Sequence, residues 1–446
     1  MFLALLIVSI TAIFYLSSCA GLLVVGGSDT TTPTVSTTIP GGYSVNLLYK
    51  KTGINTSDYF GWSVSSAGDL NGDGKADFAV GEPKYNSPGY AHLYSGADGS
   101  SLVTLEGGAA IGDFGAAITA GDLDGDGKSD LIISDPSHYT ICIFYGNNLY
   151  NRINTTIPGA VYPGGALAYL GDINGDGGGD FIFGDYPYLS STGRVGVISG
   201  KDRTFLITKE GGAAGMQFGR SVASAGDVNG DGTTDYIVGG PNASPSGKSS
   251  AGAAYVYSGS DGTLLYQKDG AASGDQFGWA VASPGDINGD GKSEFMVGAP
   301  KYDLPTKANI GMVYIYSGAD GALVYQLTGE AARDEFGTTL SKLWDIDGDS
   351  KSDFAVGAPL ASPNGMDEAG SVYVYSGADG NFICRLDGES GGLPLGKSGD
   401  RFGRTVASAG DVNGDGRPEV IIGTYEYNPI GKSYVGAAYV YSILKR

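Results

Sequence analysis

The sequence predicts an all-β fold built from repeats, and three observations support this prediction. A nine-residue acidic cassette occurs seven times, beginning at Asp69, Asp122, Asp172, Asp227, Asp286, Asp345 and Asp411. Each copy is followed by a short apolar run that is typical of a strand. Glycine supplies 77 of the 446 residues, more than twice its usual share of about 7%, and no long amphipathic helical pattern is present. These features indicate an all-β chain with many tight turns.

The cassette has the composition of a calcium-binding loop. In its first copy Asp69, Asn71, Asp73 and Asp77 occupy positions 1, 3, 5 and 9, and their side chains converge if the loop curls around a cation. Gly74, at position 6, supplies the positive φ of a sharp turn. An all-oxygen set suits calcium, whereas zinc and iron prefer histidine or cysteine. Acidic Gly-rich stretches are also common turns, but seven copies with the same four polar positions favour a metal site.

The predicted ligands are the residues at positions 1, 3, 5 and 9 of every copy, and we expect up to seven Ca²⁺ ions. These residues are Asp69, Asn71, Asp73, Asp77, Asp122, Asp124, Asp126, Asp130, Asp172, Asn174, Asp176, Asp180, Asp227, Asn229, Asp231, Asp235, Asp286, Asn288, Asp290, Glu294, Asp345, Asp347, Asp349, Asp353, Asp411, Asn413, Asp415 and Glu419. Nearly half of the 48 acidic residues stand at these positions, so seven divalent ions would offset most of the formal charge of −21. The acidity argues against nucleic acid as a partner.

Three copies deviate from the common pattern. In the sixth copy Ser350 replaces the turn glycine, and a residue other than glycine at positive φ costs on the order of 1 kcal/mol. We therefore expect weaker or distorted binding in this loop, although its four carboxylates work in the opposite direction. In the fifth and seventh copies Glu294 and Glu419 stand at position 9. Each must fold back to reach the ion, and we expect both loops to bind calcium.

Each cassette lies in a longer unit of four predicted strands. In the fourth unit these strands follow Phe218-Gly-Arg-Ser-Val-Ala-Ser, Tyr236-Ile-Val, Ala254-Tyr-Val-Tyr257 and Leu264-Leu-Tyr, and the cassette joins the first two. The run after the cassette is apolar without alternation, as expected of a strand that is covered on both faces. Asp-Gly pairs mark a hairpin between the third and fourth strands. They begin at Asp98, Asp261, Asp320 and Asp379.

The period and strand count predict a β-propeller of seven four-stranded blades. The last unit stops after its third strand, Ala438-Tyr-Val-Tyr441, whereas Leu47-Leu-Tyr-Lys-Lys-Thr-Gly53 matches the missing fourth strand. We therefore expect this N-terminal strand to complete the seventh blade, which closes the ring and removes an exposed edge. Cys142 and Cys384 fall in units that are not neighbours in such a ring, so we expect buried thiols and no disulfide.

These units resemble FG-GAP repeats, the blades of the integrin α-subunit N-terminal propeller. Gly-Ala-Pro occurs at Gly298 and Gly357, and blade three departs from the pattern because Gly165-Ala-Leu replaces Phe-Gly. Phe-Gly pairs begin at Phe60, Phe114, Phe218, Phe277, Phe336 and Phe402. The resemblance covers residues 44–446 and implies calcium loops on one rim and a ligand face on the other. Integrins usually carry calcium in only some blades, so seven complete cassettes exceed the family pattern.

The N-terminal segment indicates export. Residues 1–25 are almost wholly apolar, and residues 26–43 are rich in Ser, Thr, Pro and Gly. We expect a signal peptide or membrane anchor followed by a linker. Leu16-Ser-Ser-Cys19 resembles a lipoprotein cleavage box, but no Lys or Arg precedes the apolar run, so a secretory signal and an uncleaved anchor stay open. All three place the propeller outside the cell, tethered or released, where calcium is abundant enough to fill weak sites.

The sequence is compatible with two functions. The first is a non-catalytic binding or adhesion module for an extracellular protein or glycan, and the alternative is a calcium-dependent polysaccharide lyase or hydrolase. The chain has two histidines, His92 and His138, and Ser390 stands in a Gly-Glu-Ser-Gly-Gly stretch that lies between blades with no following helix. We therefore predict no catalytic residue and no cofactor besides calcium.

Several tyrosines occur in the variable loops between second and third strands. They are Tyr85, Tyr139, Tyr186, Tyr188, Tyr302, Tyr425 and Tyr427. If they gather on the rim opposite the metal, they form an aromatic surface suited to sugars or to a protein partner. The other interpretation is that each tyrosine packs against its own loop.

Overall fold

The fold was obtained as a computed structural model, which describes residues 36–39, 42–84, 87–108, 112–146, 148–389, 399–429 and 431–445. Its strands form seven antiparallel sheets, six with four strands and one with five. The predicted all-β propeller with seven four-stranded blades is confirmed. Cys19 and Ser390 lie outside the described residues. Within the described ranges, no helix is long and apolar enough to span a bilayer.

Two strands, β1 (Ser36–Ile39) and β2 (Tyr43–Thr52), precede the first blade. Blade one contains β3 (Val64–Gly68), β4 (Asp77–Glu82), β5 (Tyr90–Tyr94) and β6 (Ser101–Glu106). Blade two contains β7 (Ile118–Gly121), β8 (Asp130–Asp135), β9 (Thr140–Phe144) and β10 (Arg152–Thr156). Blade three contains β11 (Ala166–Gly171), β12 (Asp180–Asp185), β13 (Arg194–Ser199) and β14 (Phe205–Glu210).

Blade four contains β15 (Ser221–Gly226), β16 (Asp235–Gly240), β17 (Ala253–Tyr257) and β18 (Leu264–Asp269). Blade five contains β19 (Ala280–Gly285), β20 (Glu294–Ala299), β21 (Met312–Tyr316) and β22 (Leu323–Thr328). Blade six contains β23 (Thr339–Lys342), β24 (Phe354–Ala358), β25 (Ser371–Tyr375) and β26 (Phe382–Asp387). Blade seven contains β27 (Thr405–Gly410), β28 (Glu419–Thr424) and β29 (Ala437–Lys445). Short helical turns lie at Pro136–His138, Tyr188–Ser191, Pro245–Gly247 and Pro363–Gly365.

The first strand of each blade surrounds the axis of the ring. Each first strand contacts the first strand of the next blade, and β27 contacts β3, so the ring is closed. The second strands are buried along their whole length in all seven blades. Burial on both faces explains why these strands read as continuous apolar runs.

The N-terminal strand completes the last blade, as predicted. β2 pairs antiparallel with β29, from Tyr43 opposite Lys445 to Thr52 opposite Ala437. β1 adds a fifth, outermost strand through pairs that run from Ser36–Asn46 to Ile39–Tyr43. This strand lies within the stretch 26–43 that the sequence indicates as a linker. The seventh sheet therefore takes its strands from both ends of the chain.

The Phe-Gly pairs join neighbouring blades. Five of the six phenylalanines that precede a first strand form a parallel bridge with a glycine before the third strand of the preceding blade. These bridges are Gly89–Phe114, Gly193–Phe218, Gly252–Phe277, Gly311–Phe336 and, across the closure, Gly436–Phe60. At Gly252 the φ is +86°, and a Cβ would lie 2.0 Å from the carbonyl oxygen of Phe277. Only glycine permits this approach.

Blade three corrects one detail of the predicted repeat alignment. Gly164 has a φ of +77°, and its N–H donates to the carbonyl of Gly184 at 2.9 Å. This is the bond that Gly219 makes to Gly239 in blade four. Pro163-Gly164 therefore occupies the Phe-Gly position, and the assignment to Gly165-Ala-Leu was wrong, because proline stands where the other blades have phenylalanine while the turn glycine is kept.

The hydrophobic core is divided among the gaps between blades. Cys142 packs between blades one and two, and Cys384 packs between blades six and seven. Both thiols are buried and unbonded, which confirms the prediction. Burial raises the pKa of each to about 12, so neither is a reactive nucleophile at neutral pH.

Candidate metal centres

The seven cassettes form the loops between first and second strands, and they therefore lie on one rim of the ring. In six blades position 9 is the first residue of the second strand, as Asp77 is of β4. Neighbouring loops also touch through their backbones. The N–H of Gly179 donates to the carbonyl of Asp122 at 2.9 Å, and that of Ala76 donates to Asp411 at the same distance across the ring closure.

The carboxylate at position 1 curls the loop. Asp69 accepts the N–H groups of Gly72, Asp73 and Gly74 at 2.7, 3.1 and 2.8 Å. The same three bonds recur in the other six loops, at Asp122, Asp172, Asp227, Asp286, Asp345 and Asp411. At position 5, Asp73 accepts the N–H of Lys75 at 3.0 Å. These bonds bring the acidic side chains to the inside of one turn.

The carboxylate at position 9 is fully buried and ties two parts of its blade together. One oxygen of Asp77 accepts the N–H of Leu70 in the loop at 2.8 Å, and the other accepts the N–H of Gly96, beyond the third strand, at 3.0 Å. Asp235 makes the equivalent bonds to Val228 at 2.8 Å and Gly259 at 3.0 Å. The same pair of bonds is present at Asp130, Asp180, Glu294 and Asp353.

Burial raises the pKa of every carboxyl group at position 9. Desolvation is the main cause, backbone N–H donors oppose it, and nearby carboxylates add to it. The pKa is about 6 for Asp130, Asp180 and Asp235, about 7 for Asp353 and about 8 for Glu419. For Asp77 and Glu294 it is raised as well. A bound cation would favour the ionised form of these carboxyl groups and so oppose the effect of burial.

The loops differ in how closely the acidic groups approach. Carboxylate oxygens of Asp122, Asp124 and Asp130 lie within 4.8 Å of one another, and so do those of Asp345, Asp347 and Asp349. These are the two cassettes with a carboxylate at position 3. In the other five loops that position is asparagine. In four of them its amide donates to the carboxylate at position 5, as Asn229 does to Asp231 at 2.9 Å, whereas Asn71 donates to the hydroxyl of Ser95. Every candidate ligand atom at positions 1, 3, 5 and 9 is an oxygen, which fits a hard divalent cation of the size of calcium.

Ser350 adopts the backbone conformation expected for the sixth loop. Its φ is +71°, beside +84° to +86° for the glycines at position 6 of the other loops. The carboxylate of Asp353 keeps its bonds to Ile346 at 2.7 Å and Gly377 at 3.1 Å. The substitution therefore leaves the loop geometry intact and places a Cβ in a disfavoured region of φ.

Comparison with protein families decides what the repeats are. A profile for the FG-GAP repeat matches residues 60–94, 218–257, 277–316, 336–375 and 402–441, and one for an FG-GAP-like repeat matches residues 122–183. Together these matches cover more than half of the chain. It is an FG-GAP repeat protein.

Curated relatives of this FG-GAP repeat protein include integrin α subunits. Integrin α-5 of Xenopus laevis is 30% identical over 219 residues, integrin α-IIb of Homo sapiens 33% over 228, and integrin α-V of Gallus gallus 32% over 232. The alignments cover 47%, 48% and 49% of this chain and 20%, 20% and 21% of the relatives. The chain thus aligns with about a fifth of the length of these relatives. The integrin-like FG-GAP propeller expected from the sequence is confirmed.

A solved structure supports the same fold. The crystal structure of BBS1N in complex with ARL6DN, soaked with lead, superposes with a TM-score of 0.52 and is 11% identical in sequence. The match covers 89% of this chain and 96% of that chain. At this identity the likeness concerns the fold alone.

The rim opposite the cassettes of this FG-GAP repeat protein carries those predicted tyrosines that the structure describes. Tyr302 and Tyr427 pack, half-buried, against the cores of their own blades. Tyr139 is 50% exposed, and Tyr188 lies under Arg194 at 4.2 Å from the guanidinium carbon to the ring centre. Tyr85 lies outside the described residues. Three of the six described tyrosines thus pack locally, while Tyr186 contacts Arg220 and Tyr425 contacts Trp62 and Arg404.

Sequence reasoning missed the side chains that these two tyrosines contact. Trp62, Arg220, Trp279 and Arg404 each follow a Phe-Gly pair and so stand just before an innermost strand. Their position relative to Phe-Gly is the signal that could have identified them. We define the axial cluster as Trp62, Tyr186, Arg220, Trp279, Arg404 and Tyr425.

Proposed function

We propose that this protein is an extracytoplasmic, non-catalytic binding module whose ring is stabilised by calcium. The observation that carries the proposal is the fully buried carboxylate at position 9 in every blade, which joins the cassette to its sheet and, in six blades, to the turn after the third strand. The similarity to integrin α subunits supports a role in adhesion to an extracellular protein or glycan. The rim opposite the cassettes is the proposed binding face.

The proposed ligands of calcium are the residues at positions 1, 3, 5 and 9 of each cassette. The position-1 carboxylates already sit inside a turn that is closed by three N–H bonds, and the position-9 carboxylates have raised pKa values. A bound divalent ion would neutralise this charge and fix the loop between first and second strands. The second and sixth loops, with four carboxylates each, are the proposed strongest sites by charge, and strain at Ser350 weakens the sixth.

Export would place these loops where calcium is abundant. We propose that residues 1–25 act as a signal peptide or membrane anchor and that the segment before β1 links it to the propeller. Extracellular calcium-binding modules have dissociation constants of about 10⁻⁴ to 10⁻³ M, which matches the extracellular concentration. The proposed location is the cell surface or the extracellular space.

A polysaccharide-acting enzyme has less support. A cavity of about 190 Å³ in blade six is lined by Glu330, Asp334, Tyr373 and Arg385. Its acidic groups are engaged in the fold, because Glu330 accepts a bond from Arg385 at 2.8 Å and Asp334 accepts N–H groups from Glu330 and Ala331 at 3.0 and 2.7 Å. A carboxylate pair held in this way is not placed to act on a glycosidic bond.

The proposal is tested by probing the purified chain against arrays of extracellular matrix proteins and glycans, in 2 mM calcium (roughly the level that fills weak extracellular sites) and in excess EGTA. We expect saturable, calcium-dependent binding and no release of sugar ends from the polysaccharides that bind. Turnover of a polysaccharide would favour the enzyme. Capture that is unchanged by EGTA would contradict the link between calcium and binding.

A further inference from the structure

The axial cluster stands at the mouth of the ring, on the rim opposite the cassettes. Arg220, Trp279 and Arg404 directly precede the innermost strands of blades four, five and seven, and Trp62 stands two residues before that of blade one. Tyr186 and Tyr425 directly follow the second strands of blades three and seven. Topology therefore brings side chains from five blades to the same end of the axis.

Arg220 is held between two aromatic rings. Its guanidinium carbon lies 5.1 Å from the ring centre of Tyr186 and 4.7 Å from that of Trp279. In the part of the chain that the structure describes, its guanidinium forms no ion pair and no hydrogen bond with any side chain or carbonyl. A guanidinium carries five N–H donors, and a half-buried one without an anionic partner is costly. The N–H groups of the Arg220 guanidinium are thus available to bind an anion.

Arg404 approaches from the opposite side of the mouth. Its Nε donates to the hydroxyl of Tyr425 at 3.2 Å, and Tyr425 packs on Trp62 with ring centres 4.4 Å apart. Among the described residues no carboxylate pairs with Arg404. Burial lowers the pKa of Arg220. Arg220 and Arg404 directly precede the innermost strands of blades four and seven, so both stand at the same end of the axis.

The aromatic members favour a sugar as the partner of this charge. Trp62 is 36% exposed, and Trp279 is partly exposed beside Arg220. The chain has three tryptophans; Trp279 packs on Arg220, and Trp62 packs on Tyr425, whose hydroxyl Arg404 contacts. Flat indole faces pack well on the apolar faces of pyranose rings. A peptide carboxylate would bind through the arginines alone and would leave the tryptophans without a role.

We propose that the axial cluster binds a uronate unit of an acidic glycan, with its carboxylate between Arg220 and Arg404 and its ring against Trp62 or Trp279. This rests on the proposed binding function and names its ligand class. Arginine suits the task because its planar fork donates two parallel bonds to a carboxylate. The net charge of −21 opposes an anion at long range, but at physiological salt this field is screened over about 8 Å, and the axial cluster itself contains two arginines and no carboxylate.

Calorimetric titration of the full chain in calcium tests the proposal with tetramers of galacturonate and of mannuronate, their methyl esters, and a tetra-aspartate peptide. We expect at least one free tetramer to bind and its ester, which lacks the charge, to bind at least about tenfold more weakly. R404Q should weaken binding by a similar factor. R203Q, an equal charge change at an exposed turn on the cassette rim, should leave it unchanged. Circular dichroism confirms the fold of each variant, and R404Q carries the test if R220Q fails to fold.

Several results would overturn the assignment. They are no binding of either tetramer, equal binding of acid and ester, full binding by folded R404Q, or capture of the aspartate peptide in place of the uronates. If the array screen finds another ligand whose binding is indifferent to R404Q, the axial site is wrong while the binding module stands. If no array ligand binds, the proposed function fails as well.

Discussion

At the scale of single residues, the position-9 carboxylate connects local sequence to the whole blade. In blade four the carboxylate of Asp235 is fully buried and accepts N–H groups from the loop and from the turn after the third strand. A buried charge is costly unless it is paired or neutralised. Calcium would offset this cost, so the same residue is both a structural tie and a proposed ligand.

The first prediction concerns this residue. D235N should lower the free energy of unfolding in calcium by about 1–3 kcal/mol, because an acceptor and a ligand charge are lost. In EGTA the loss should be smaller, since the neutral amide avoids burying a charge. Chemical denaturation under both conditions measures the difference. D269N in the same blade, at an exposed position, is the matched control, and equal effects of the two variants would contradict the assigned role.

The second prediction concerns Ser350. S350G should stabilise the protein by about 0.5–1 kcal/mol, because glycine relieves strain at a φ of +71°. It should also raise the calcium affinity of the sixth loop. The reciprocal change, G291S in the fifth loop, should destabilise by a similar amount. Thermal melts in calcium check both, and a destabilised S350G would show that the serine makes a compensating contact.

At the scale of elements, the ring is closed by the pairing of β2 with β29. This pairing covers all of β2 and joins both ends of the chain. Without it the seventh blade would expose an unpaired edge on its third strand. The Phe60–Gly436 bridge and the contact between β27 and β3 act across the same boundary.

The third prediction tests whether the pairing of β2 with β29 closes the ring. K51P, in β2, should destabilise the protein by about 1–3 kcal/mol relative to K51A, because the N–H of Lys51 faces Ala438 of β29 and proline removes this donor from the ladder. The alanine variant accounts for loss of the Lys51 side chain, whose Nζ lies 5.1 Å from the ring centre of Tyr94. Denaturation curves of the two proteins give the comparison. Equal stability would show that β2 is dispensable for closure.

The repeats explain how far the sequence could predict these elements. The pairing of β2 with the last blade could be predicted because the Leu47–Gly53 segment matches the sequence of a fourth strand. Ser36–Ile39 has no counterpart in other units, so its pairing was not foreseen. The Phe-Gly turn of blade three was misplaced because Pro163 stands where the other blades have phenylalanine. The turn itself depends on the following glycine, which is kept. The axial cluster escaped notice because the residue after Phe-Gly differs between blades, and only the ring brings Arg220 and Arg404 together.

At the scale of the whole molecule, one rim carries a ring of buried carboxyl groups with raised pKa values, and this makes stability depend on pH. The folded pKa values of about 6 to 8 exceed the unfolded values of about 4. Such groups add stability below pH 4, and this contribution is lost as pH rises through the folded pKa.

The fourth prediction follows from this loss of stability with rising pH. Without calcium, the melting temperature should fall between pH 5 and pH 8.5, as the position-9 groups ionise in a buried setting. With calcium the fall should disappear or reverse, because the ion binds the deprotonated form. Scanning calorimetry over this range distinguishes the two. A melting temperature that is independent of pH in the calcium-free protein would contradict the effect of burial.

The central claim is that divalent ions in the cassettes hold the blades in a closed ring. The melting temperature of the full chain in calcium and in excess EGTA tests it most directly. Seven ligand-dependent contributions, each about 1–3 kcal/mol near saturation, predict a drop of at least about 5 °C on chelation. Superimposable melting curves under the two conditions would contradict the claim.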